Sequence, residues 1–73
     1  MPKTIYTKEY RNVIEKLKNA RSETGFKQEE VAKKLSKPQS YVSKSESGER
    51  RLDITELKKF ADIYKKQINY FIK

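Results

Sequence analysis

Cysteine and histidine are both absent from the 73 residues. Without cysteine, no disulfide or thiolate metal site braces the fold. Without histidine, nucleophile–histidine catalysis and the ordinary zinc sites are excluded as well. Glycine and proline are scarce, two of each, so the chain has few natural breaks. β signals are equally poor, with no hairpin dipeptide and no sustained alternation of apolar and polar residues. The longest mostly apolar run, 68–72, is interrupted by Asn69 and is far too short to span a bilayer. The opening MPKTIYTKEY has no apolar core of signal-peptide length. A cytoplasmic protein is the simplest expectation.

What remains is one small domain, 34% hydrophobic, held by packing, caps and a few charge pairs. Eighteen Lys/Arg against ten Asp/Glu give a net charge of +8 and a pI near 9.8. That excess favours polyanionic partners, nucleic acid ahead of anionic membrane, over a merely solubilising surface. It does not locate the contact. Residues 27–51 hold seven basic and four acidic groups, and 58–73 hold five and one.

Helical signals come in five pieces. In the first, about 7–23, Tyr6, Tyr10, Val13, Ile14, Leu17, Ala20 and Arg21 recur at three- and four-residue steps. Thr7 is the expected N-cap and Gly25 the left-handed stop. The second, about 28–35, turns Val31, Ala32 and Leu35 inward, with Phe26 and Val31 placed as a hydrophobic staple. Its cap position, Lys27, offers no acceptor, and Glu29 and Glu30 partly compensate by opposing the helix dipole. Ser36-Lys37-Pro38 makes a tight break, with Pro38 expected in the first turn of a third helix that runs to Ser47 before Gly48. Asp53 and Glu56 then form a capping box, and Leu52 and Leu57 a staple, for a fourth helix built on Leu57, Phe60, Ala61 and Tyr64. A short fifth helix covers about 69–72.

Two short helices, 28–35 and 39–47, across a three-residue break have the spacing of a helix-turn-helix. In that motif the first helix crosses the phosphate backbone and the second places its N-terminal residues against base edges. The second helix therefore needs one apolar face and one short polar face. Gln39, Ser40, Ser43 and Lys44 provide the polar one.

The chain resembles the Cro/repressor-type (Xre-family) helix-turn-helix domain from about Val13 to Phe71. The residues that carry the resemblance are Leu17, Arg21, Gly25-Phe26, Gln28-Glu29-Glu30-Val31-Ala32, Leu35, Gln39-Ser40, Val42-Ser43-Lys44, Glu46, Gly48, Leu57 and Ala61. The resemblance implies an all-α, five-helix lambda-repressor-like fold over 1–73, with 1–6 as a loose N-terminal arm. It implies that Gln28 bonds a phosphate and buttresses the next helix. Gln39 would contact base edges, as an amide can do bidentately with adenine. Ser40 and Lys44 would also face bases, Tyr41 and Ser43 the sugar-phosphate wall, and Arg51 a phosphate, with Lys27 and Lys37 as extra phosphate contacts. For each the plain alternative is a solvated surface side chain. Arg21 and Glu46 stand where the family often has a partly buried salt bridge, which assigns them to structure.

Three departures stand out. Lys27 replaces the usual polar cap, and Lys65-Lys66 replaces a glycine–apolar pair after the fourth helix, where a different turn is expected. Ser45 replaces a large apolar residue. It either sits at the core margin bonded back to the Tyr41 carbonyl, or is covered by aromatics such as Phe60 or Tyr64, or marks a weakened, even engineered, core.

The function implied is a DNA-binding transcriptional regulator, a repressor acting as a homodimer on double-stranded DNA without cofactor or metal. A dimer reads two half-sites roughly 34 Å apart. Tyr70, Phe71 and Ile72 are candidates for the seam; their alternative is to close the monomer's core against the first helix. An antitoxin with a toxin partner, a restriction–modification controller and a protein-interaction module without DNA remain open. A membrane-surface role lacks a helix pairing a broad apolar face with a basic one. An enzyme lacks a metal or phosphate motif beside its surface carboxylates.

Overall fold

The computed structural model describes residues 7–72, so the arm expected over 1–6, with Tyr6, lies outside the described residues. Five helices follow in order: α1 (Lys8–Thr24), α2 (Gln28–Leu35), α3 (Gln39–Ser47), α4 (Ile54–Tyr64) and α5 (Ile68–Ile72). Among the described residues there is no strand.

Most helix ends form where local chemistry predicts. Thr7 caps α1 by accepting the Tyr10 amide at 3.0 Å, and Gly25 closes it at φ 79°. At α4, Asp53 accepts the Glu56 amide at 2.8 Å and Glu56 accepts the Asp53 amide at 3.0 Å. At α2 only half of such a box is possible. Glu30 accepts the Lys27 amide at 2.7 Å, whereas an ammonium group has no lone pair to return.

Three local expectations need correction. Pro38 is the N-cap of α3, with extended ψ of 158°, one residue outside the turn expected to hold it. α5 begins at Ile68, slightly earlier than its apolar cluster suggested. The turn after α4 keeps its form without glycine: Lys65 adopts φ 57°. Its amide reaches the Asp62 carbonyl at 3.2 Å, and the Lys66 amide reaches Ala61 at 2.9 Å. The turn after α2 repeats this pattern around Ser36 at φ 58°, with Lys37 donating to Ala32 at 2.9 Å. Both are Schellman motifs closed by a residue with a Cβ, a conformation costing about 1–2 kcal/mol.

All five helices feed one core. Leu17, Val31, Val42, Phe60 and Phe71 lie at its centre, each contributing roughly 1.5–3 kcal/mol of burial. α5 packs against α1, and this settles part of the seam question. Phe71 is buried in the monomer and is not available to a partner. Tyr70 is half-buried, edge-on to Phe71 at 4.9 Å. The Lys16 and Lys66 ammonium groups lie 5.7 and 4.6 Å from its ring. Ile72 remains 53% exposed.

Ser45 is inside the core, with no exposed surface, rather than at its margin. Its hydroxyl donates to the Tyr41 carbonyl at 2.7 Å. The Tyr41 and Phe60 rings stack on one another in the core, 6.2 Å apart and 1° from parallel. The small side chain is satisfied as a hydrogen-bond donor.

Tyr64 is less well accommodated. Its hydroxyl is buried without a hydrogen-bond partner among the described residues. Burial, reinforced by the Glu46 charge and opposed by Arg21, pushes its pKa above the ordinary tyrosine range. The unfolded chain therefore loses this proton first, and stability falls as pH rises above about 10. Tyr64→Phe is expected to raise the melting temperature at pH 7 by a few degrees, since an unsatisfied buried hydroxyl costs about 1–3 kcal/mol. It should also flatten the alkaline decline. Thermal melts at neutral and alkaline pH check both, and a drop at pH 7 would show that the hydroxyl is bonded after all.

Candidate nucleic-acid interface

α3 has two faces because its residues repeat every 3.6 positions. Val42, Ser45 and Glu46 are buried, while Gln39, Ser40, Ser43 and Lys44 are exposed. Among the described residues, the Ser40, Ser43 and Lys44 side chains make no bond to the rest of the protein. The polar face expected from the sequence is present and open.

A buried charge pair orients one end of it. Glu46 keeps 4% and Arg21 22% of side-chain exposure. Arg21 Nε donates to Glu46 Oε2 at 2.6 Å and Nη2 to Oε1 at 3.0 Å, a bidentate arrangement. Nη1 donates to the Phe26 carbonyl at 3.1 Å. The bond to Glu46 outweighs the desolvation of Arg21 and raises its pKa, so the guanidinium stays charged.

The pair extends outward. Gln28 Nε2 donates to Glu46 Oε1 at 3.1 Å, and Gln39 Nε2 donates to Gln28 Oε1 at 3.4 Å. A chain of polar contacts thus runs from the core through α2 to the first residue of α3. Gln39 keeps its second N–H and its carbonyl, the donor–acceptor pair that an adenine edge complements. The buttress expected of Gln28 is in place.

Tyr41 departs from expectation. It does not project as a wall contact: its ring stacks inward on Phe60 and its hydroxyl donates to Glu56 at 3.2 Å. Burial, then the Glu56 carboxylate, raises its pKa above the ordinary range. Arg50 lies over the same ring at 4.5 Å and bonds the same carboxylate. Lys37, exposed in the turn, sits 5.4 Å from that ring, and Lys27 is exposed at the start of α2.

Sequence reasoning missed Arg50, Glu56 and Tyr10 as parts of this region. Glu56 was legible only as a capping residue, and its pairing with Arg50 follows no helical spacing. Tyr10 lies 40 residues from the loop that it bonds. Arg51, by contrast, is exposed, with its guanidinium 5.6 Å from the Tyr10 ring centre.

No three acidic side chains come together as a possible metal site among the described residues. No helix there is long and apolar enough to cross a membrane. A family model described as helix-turn-helix matches residues 17–71. A search of curated proteins returns no match. The matched span begins inside α1, takes in the paired α2 and α3, and ends at the Phe71 that closes the core. The chain belongs to the Cro/C1-type helix-turn-helix family, a DNA-binding regulator of the helix-turn-helix type.

Proposed function

We propose that the protein is a sequence-specific transcriptional repressor of the cytoplasm, binding double-stranded DNA as a homodimer with α3 in the major groove. The observation that carries this is the open face of Gln39, Ser40, Ser43 and Lys44, with the Gln39 amide braced through Gln28. Gln39, Ser40 and Lys44 read base edges. Gln28, Ser43, Lys27, Lys37 and Arg51 meet the sugar-phosphate backbone. Tyr41 shapes the helix from behind. The dimer seam falls to exposed Ile72 and half-buried Tyr70.

Selection of bound DNA from random duplexes tests the reading and its symmetry together. A two-fold symmetric site with half-sites one helical turn apart is expected. Lys44→Ala should relax preference at one base position. Arg51→Ala should weaken all sequences alike and lower the log–log salt slope by about 0.9. Recovery of no preferred sequence, with binding indifferent to salt, would instead identify a protein-interaction module.

A further inference from the structure

We infer that Tyr10 is a positioning residue for DNA binding, setting the loop after α3 so that Arg51 meets the phosphate backbone. This rests on the assignment of Arg51 as a phosphate contact.

The loop 49–52 has no helix of its own to hold it. One hydroxyl ties it on both sides of Arg51. The Leu52 amide donates to Tyr10 Oη at 2.9 Å, and Tyr10 Oη donates to the Arg50 carbonyl at a longer 3.4 Å. The Tyr10 ring lies under the Arg51 guanidinium at 5.6 Å, within cation–π range. Tyr10 is itself fixed in the first turn of α1, where its amide bonds the Thr7 cap.

The neighbouring arginine is spoken for. Arg50 is bound to Glu56 and lies over Tyr41, and its amide bonds the Lys44 carbonyl at 3.2 Å. Arg51 is the exposed one of the two, with its backbone held on either side. A side chain so placed loses less freedom when it meets a phosphate than one on an unrestrained loop. Tyr10, 40 residues from the loop that it holds, thereby contributes to affinity without touching DNA.

The test is a fluorescence-anisotropy titration of a mixed-sequence duplex of about 20 base pairs over a range of salt, since a phosphate contact needs no particular sequence. The proteins are wild type, Tyr10→Phe, Arg51→Ala and the double variant, with thermal melts confirming that each is folded. Tyr10→Phe keeps the ring and removes the hydroxyl. It should raise Kd about 3- to 10-fold, and it should add less than about twofold once Arg51 is alanine, because the two act as one unit. Amide exchange at Leu52 should accelerate in Tyr10→Phe while core amides of α1 stay protected. An equal loss in both backgrounds, or none in either, overturns the inference while leaving Arg51 as a phosphate contact. If Arg51→Ala changes neither Kd nor the salt slope, the Arg51 assignment fails and the inference falls with it.

Discussion

Arg21→Met is expected to cost about 3–5 kcal/mol of folding stability, because it strands the Glu46 carboxylate in a site that is 4% exposed. For a domain of this size that is a large fraction of the total, and the melting temperature should fall by roughly 15 °C or more. Glu46→Gln should cost less. It leaves Arg21, which has 22% exposure, a partial route to water and a side chain that still accepts a hydrogen bond. Replacing both, as Arg21→Met with Glu46→Leu, should recover much of the loss, since apolar pairs often substitute for buried ion pairs without penalty. Urea midpoints at constant m measure all three. Should Arg21→Met cost under about 1 kcal/mol, the pair behaves as a solvated surface bridge. The chain of contacts through Gln28 adds a second consequence. Even in the stable double variant, Gln28 loses its anchor on Glu46, which loosens the brace on the Gln39 amide, so base preference at that position should blur.

Phe71→Ala carries the next largest effect, about 3–5 kcal/mol for a fully buried aromatic. That loss should be the same at every protein concentration, because Phe71 closes the monomer against α1 rather than bridging two copies. Ile72, 53% exposed, should behave in the opposite way. Ile72→Asp should leave the monomer's stability within about 0.5 kcal/mol yet shift the monomer–dimer equilibrium in sedimentation. A Phe71→Ala melting temperature that climbs with concentration to meet wild type would return this residue to the seam.

Much of this was legible in the sequence because helices announce themselves locally. Thr7, Gly25, Asp53 with Glu56, and Gly48 each act within one turn, and the ends they mark stand where expected. The polar face of α3 was legible for the same reason: its residues share a helix, and periodicity alone places them together. The Arg21–Glu46 pair and the bracing of α3 by Gln28 came from family resemblance, while the particular Gln28–Gln39 contact did not; nothing in spacings of 25 and 11 residues requires these side chains to meet. Tyr41 was misplaced because its position on α3 borders both faces, and only the Phe60 ring and the Glu56 carboxylate decide between them. The Tyr10–loop contact was out of reach. An apolar stripe explains why Tyr10 faces inward but says nothing of what its hydroxyl finds there.

The two left-handed caps without glycine have a bearing on how this domain can change. Ser36 and Lys65 each hold a conformation that glycine adopts without the Cβ clash. After allowing for glycine's greater freedom in the unfolded chain, each position holds an unused gain of up to about 1 kcal/mol. Neither belongs to the exposed face of α3. A lineage acquiring a new operator through destabilising changes at Gln39, Ser40 or Lys44 could absorb them with a glycine at either turn. Recognition and stability would then evolve at separate places in the chain.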